Sequence, residues 1–149
     1  MRRTSARDLV IAFVTVGLIA YLLVRWRYTD LPPLRYLSAA PLAALAVVEF
    51  VVARRVRAAV RHDPGAKAMT AITIARAVAL GKASSLVAAG VAGAAVGLLV
   101  RVLPDADMVR AAASDSRVAA SILAASGVLV AAGLVLERAG IDPNRSRRP

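Results

Sequence analysis

The sequence predicts an all-α fold, an integral membrane four-helix bundle with both termini cytoplasmic and a third helix extended on the cytoplasmic side. Three observations predict it. Of 149 residues, 59% are hydrophobic, above the roughly 45–50% typical of soluble domains, and the mean hydropathy is +0.66. The apolar residues gather in four stretches almost free of ionisable side chains. Basic residues gather in the tails and the middle connection, which hold fourteen Lys and Arg against six in the other two connections. By the positive-inside rule that asymmetry directs both tails and the middle connection to the cytoplasm.

The first stretch, residues 9–24, follows a short basic tail (Arg2, Arg3, Arg7) and ends at Arg25, Trp26, Arg27 and Tyr28. Sixteen helical residues span about 24 Å, and flanking Arg and aromatic side chains extend that toward the ~30 Å hydrocarbon core. A cleaved leader would need small residues after the apolar run; RWRYTDLPP stands there instead, so a retained span over about 9–28 is expected. Asp30, Leu31, Pro32 and Pro33 read as an external turn. The second span, about 34–54, is interrupted only by Glu49. Pro41 lies early in it, where loss of a backbone hydrogen bond predicts a kink.

Asp63 followed by Pro64 suits a helix start, so the third helix is expected to begin there, well before its charge-free run 83–100. Its span is placed at about 80–102, ended by Pro104 and Asp105. The fourth, about 116–137, contains no charge from 118 to 136, with Ser114 or Asp115 as cap. Residues 1–140 thus form a single transmembrane domain, and 141–149 a disordered basic tail. A soluble bundle would instead repeat charges on its outward faces every three or four residues.

Composition removes several function classes. Without cysteine and with one histidine, disulfide frameworks, thiol catalysis and Cys or His metal clusters are excluded. No phosphate-binding glycine loop, HExxH or paired carboxylate motif occurs, so no enzyme activity, cofactor or metal is expected. The net charge of +11 could suggest nucleic-acid binding. That reading wants a folded basic module or interleaved exposed aromatics, whereas aromatics are 4% of the chain and sit in or beside spans. The charge reads better as a cytoplasmic collar meeting anionic headgroups, at about 1 kcal/mol per basic residue near the surface.

In the third helix Gly81, Ser85, Ala89, Gly93 and Gly97 recur every four residues, with Gly90 beside them. Small residues at that spacing let another backbone approach closely, which matters where lipid supplies no hydrophobic drive between helices. This helix is expected to be the packing hub, with Ala120, Ala124, Gly127 and Ala131 of the fourth span as a complementary face; a homodimer face is the alternative use. Glu49 is the one ionisable residue inside an apolar span, by default a proton or ligand site. Only four residues separate it from Arg54, so an interfacial position and pairing with Arg76 or Lys82 are expected. The alternative is that Glu49, Arg76 and Lys82 line a polar vestibule. His62 is expected in solvent, and Ser84 and Ser85 to bond helix carbonyls.

The basic tail and first span, the proline-containing start of the second, and ARAVALGKASSLVAAGVAGAAVG over residues 75–97 together resemble an actinobacterial family of small four-span membrane proteins of unknown function. The resemblance covers most of the chain and implies no catalytic or ligand residues. Genes of that family tend to lie beside folate-synthesis genes, which implies a link to pterin metabolism by association alone. The leading expectation is a multi-pass protein of the bacterial plasma membrane, acting as a non-enzymatic scaffold or accessory subunit on lipid, a membrane partner or a second copy. The alternative is a small dimeric transporter with Glu49 as coupling or binding residue.

Overall fold

The computed structural model describes residues 4–27, 36–106 and 109–141. It is all-helical: α1 (Ala6–Arg27), α2 (Ala40–Arg61), α3 (Ala71–Val102) and α4 (Arg110–Ala139), with 3₁₀ turns at Tyr36–Ala39 and Leu103–Asp105. The external turn at 30–33 and the basic tail from 142 onward lie outside the described residues.

Local chemistry sets each helix end. Ser5 and Asp8 form a reciprocal capping box at the start of α1: the Asp8 amide donates to Ser5 Oγ and the Ser5 amide to Asp8 Oδ2, both at 3.2 Å. Pro41 sits in the first turn of α2, where an amide has no intrahelical acceptor to lose; the kink expected there is replaced by an ordinary helix start. His62 ends α2 in the left-handed region at φ 56°. Its amide donates to the Ala59 carbonyl and that of Asp63 to the Ala58 carbonyl, which satisfies two orphan acceptors in a Schellman pattern. The start of α3 is at Thr70, not Asp63: Thr70 Oγ1 accepts from the Thr73 amide. Residues 62–70 are a connection, turning through Gly65 at φ 83°. Nor do Ser114 or Asp115 cap α4, which already begins at Arg110.

The packing is not that of a closed bundle. α3 packs on both α1 and α4, α2 packs chiefly on α4 and only marginally on α3, and α1 touches neither α2 nor α4. Residue pairings give the directions. Gly93 of α3 meets Phe13, and Gly97 meets Gly17 and Tyr21, so α1 and α3 run parallel. Gly81 meets Gly133 and Leu136, and Gly140 meets Val78, so α3 and α4 are antiparallel. Ala46 clusters with Leu129, and Ala53 with Leu136, so α2 runs with α4. The chain alternates up and down, and the Thr4 amide reaches Glu137 Oε1 at 2.7 Å, joining the start of the chain to the end of α4.

Three helices, α1, α3 and α4, are long and apolar enough to cross a membrane. α2 differs because Glu49, Arg54, Arg55 and Arg57 crowd its single stretch. α3, at 32 residues, is about 48 Å long, well beyond the ~30 Å of hydrocarbon. Its first turns adjoin the α2/α3 connection. There Ile74 and Ala77 join Val52, Val60 and Met69 around a second core of Ala53, Val56, Leu136 and Ala139.

Candidate functional site

Two seams of small residues hold α3 in place, and they use different parts of its glycine series. The α3/α4 seam is backbone on backbone: a Cβ on Gly133 would lie 2.5 Å from the Gly81 carbonyl oxygen, and one on Gly81 2.7 Å from that of Gly133. Toward α1, Gly93 and Gly97 face the backbone of Phe13, Gly17 and Tyr21, and Gly90 faces Val16. Ser85 and Ala89 are buried as well. Every member of the series is therefore enclosed.

The partner faces were harder to read. On α4, Ala120, Ala124, Gly127 and Ala131 are exposed, and a Cβ on Gly127 would meet nothing within 4 Å. The face that meets the rest of the molecule instead carries Ser126, Leu129, Ala132, Gly133 and Leu136, all buried. α4 carries two stripes of small residues, and only packing chooses between them. Gly17 went unnoticed in sequence, although it is the one glycine in α1 and lies between Phe13 and Tyr21 at helical spacing.

Glu49 is enclosed at the junction of α2, α3 and α4, with 0% of its surface exposed. One turn toward the start of α2, Ala46 packs with Ala88, Leu129 and Ala132; one turn further along, Ala53 packs with Leu136 and Ala139. The polar side chain beside it is Ser84, next to Gly133, whose missing Cβ would lie 3.1 Å from Ser84 Oγ. Among the described residues neither carboxyl oxygen has a hydrogen-bond partner. The pairing expected with Arg76 or Lys82 is not found at the Glu49 oxygens: Arg76 is exposed, and Lys82 lies where its charge acts on Asp8 of α1. The three residues do not form a common vestibule, because helix phase places Glu49 inside and Arg76 outside. The hydroxyls of Ser84 and Ser85 donate to the carbonyls of Gly81 and Lys82, at 3.2 and 2.9 Å, as expected of serines in apolar helices.

A second buried carboxyl, Glu137, escaped notice because it stands one residue beyond the charge-free run. It is enclosed at the end of α4 and accepts the Thr4 amide. At the opposite end of α3, Arg101 pairs with Asp105 at 2.8 Å one turn on. Among the described residues no group of three or more His, Cys, Asp or Glu is placed to hold a metal ion.

No curated protein and no solved structure matches the chain. Residues 9–143 match the family described as protein of unknown function, DUF3180, a stretch that runs from the first turns of α1 past the end of α4. The chain belongs to the DUF3180 family.

Proposed function

We propose that this protein is a multi-pass integral membrane protein of the plasma membrane, non-enzymatic, serving as a scaffold or accessory subunit for a membrane partner. One observation carries the membrane reading: the molecule is inside out. In α3 the buried positions are all Gly, Ala or Ser except Val102, while Val10, Ile11, Val14, Leu18, Leu23, Val47, Val87, Val100 and Val128 stand exposed. Water would reverse that sorting, because burying large side chains contributes about 1.5–3 kcal/mol each. Hydrocarbon solvates them where they are and leaves small residues to let helix backbones meet.

In this reading α2 is the fourth crossing. Its helical part before Arg54, residues 40–53, is about 21 Å long, and the four-residue 3₁₀ lead-in at Tyr36–Ala39 adds about 8 Å, close to the ~30 Å required. Arg54, Arg55, Arg57 and Arg61 then stand exposed at the inner leaflet, where they meet anionic headgroups. The enclosure of Glu49 favours the scaffold over the transporter, which needs that carboxyl to face a water-filled cavity. The setting implied by the resemblance, folate synthesis, is one place to seek the partner.

The test is extraction and topology. Membranes washed with alkaline carbonate should retain the protein until detergent is added, and tags on both termini should be shielded from outside intact cells. Release without detergent, or tags reached from outside, refutes the membrane reading. Substrate-dependent thermal stabilisation of a lone dimer would replace the scaffold by the transporter.

A further inference from the structure

The Glu49 junction has a chemistry that packing alone does not explain. Its carboxyl is the one acidic group among the described residues that is wholly enclosed and has no hydrogen-bond partner on either oxygen. A bare carboxylate withdrawn from water without a partner is among the most expensive things a protein interior can hold. We propose that Glu49 is a proton-binding site at the junction of α2, α3 and α4, occupied while the three helices are packed and emptied only when α2 moves off the α3/α4 pair. The proposal stands independently of the scaffold reading.

Ser84 does not compensate a negative charge on Glu49. A serine hydroxyl has one hydrogen and two lone pairs, and the hydrogen of Ser84 is already given to the Gly81 carbonyl at 3.2 Å. With that hydrogen directed at Gly81, Ser84 gives neither Glu49 oxygen a donor.

The charged groups on the surrounding helices are engaged or turned away. On α2 itself, Arg54 is exposed one turn along. On α3, Arg76 is exposed and the Lys82 charge acts on Asp8. On α4, Glu137 holds the Thr4 amide and Arg138 is exposed. A metal cation is a poor alternative, because one carboxyl and one hydroxyl fall far short of the six to eight oxygens that calcium takes or the octahedron of magnesium. What remains is a proton. Its loss breaks the Glu49 O–H bond, leaves both electrons on the carboxylate oxygen and passes the proton to water.

Water reaches that oxygen only if the seam opens, and α2 is the helix free to open it. It packs on α4 along one face, only marginally on α3 and not at all on α1. The sequence offers a clean reading of the site, since Glu49 and Glu137 are its only glutamates. The full chain, labelled with ¹³C at the glutamate carboxyl carbon and placed in lipid nanodiscs, should give two carboxyl signals, assigned by Glu137→Gln and Glu49→Gln. The Glu49 signal is expected at the position of a neutral acid near neutral pH. On raising the pH it should move to the carboxylate position together with a lengthening of the distance between spin labels at Val47→Cys on α2 and Val87→Cys on α3. Because the chain has no native cysteine, those labels are unambiguous.

Glu49→Gln should keep the labels at their packed distance at every pH. A carboxylate signal for Glu49 in the packed protein overturns the proposal, as does deprotonation with no change in label distance. A Glu49 signal that shifts with sodium or potassium at fixed pH replaces the proton by a cation. Failure of the neutral Gln variant to fold also counts against it, and the wild-type signal decides the matter without that variant.

Discussion

Adding one methyl group at Gly93 tests whether the α1/α3 seam depends on backbone contact. An ideal Cβ there falls 2.8 Å from the Phe13 carbonyl carbon and 3.1 Å from the Gly17 nitrogen, and nearer still to the Phe13 oxygen. Carbon pairs rest at about 3.5–4.0 Å, so clearing the carbonyl carbon alone makes α1 retreat by about 0.7–1.2 Å, and the nearer oxygen makes that a minimum. A gap of that size forfeits roughly a quarter to a half of the dispersion energy across the seam. The obstacle is backbone, which cannot rotate aside, and α1 packs on no other helix. Overpacking in a tight core costs about 1–3 kcal/mol, and an obstacle of this kind belongs at the upper end. Gly93→Ala should therefore cost about 2–3 kcal/mol, roughly 30- to 150-fold in the equilibrium that docks α1. Graded SDS unfolding in mixed micelles, followed by Trp26 on α1, the only tryptophan, reads the loss, and amide exchange along α1 localises it. A Gly93→Ala protein as stable as wild type, with α1 equally protected, would refute the reasoning.

Gly127→Ala is the matched control: with nothing within 4 Å of its Cβ, it should be neutral or stabilise by up to about 1 kcal/mol through helix propensity, and a cost near that of Gly93→Ala in the same titration would reveal a partner on that face. Replacing Glu137 by Ala removes the acceptor of the Thr4 amide and should cost about 0.5–1.5 kcal/mol locally; limited proteolysis should cut the N-terminal residues faster while the SDS midpoint stays nearly fixed. Thr70→Ala removes the side-chain cap of α3 and should cost about 0.5–2 kcal/mol, seen as faster amide exchange over residues 71–74 with residues 84–97 unchanged.

How much of this was legible in the sequence follows from range. The helical pattern and the enclosed series from Gly81 to Gly97 could be read because each rests on the spacing of residues along one chain. The capping positions were misjudged where two local signals competed. Asp63 and Pro64 suit a helix start as well as Thr70 does, but the left-handed turn at His62 sends the chain through a connection first. Glu49 was legible as an exception and misread in its surroundings. Counting residues to Arg54 gives a depth along α2, whereas the side of α2 that faces α4 decides whether the carboxyl meets water.

The amino-acid sequence determined by itself that this chain forms long apolar helices with basic ends, because hydrophobicity and charge act on each segment separately. Only the tertiary structure decided that α1 leans on α3 alone, that α4 turns Gly133 inward and Gly127 outward, and that Glu49 is closed among three helices. Those outcomes depend on which of several near-equivalent faces meet. With Gly, Ala and Ser on more than one side of α3 and α4, the choice comes from how closely backbones fit, a property that no single segment carries.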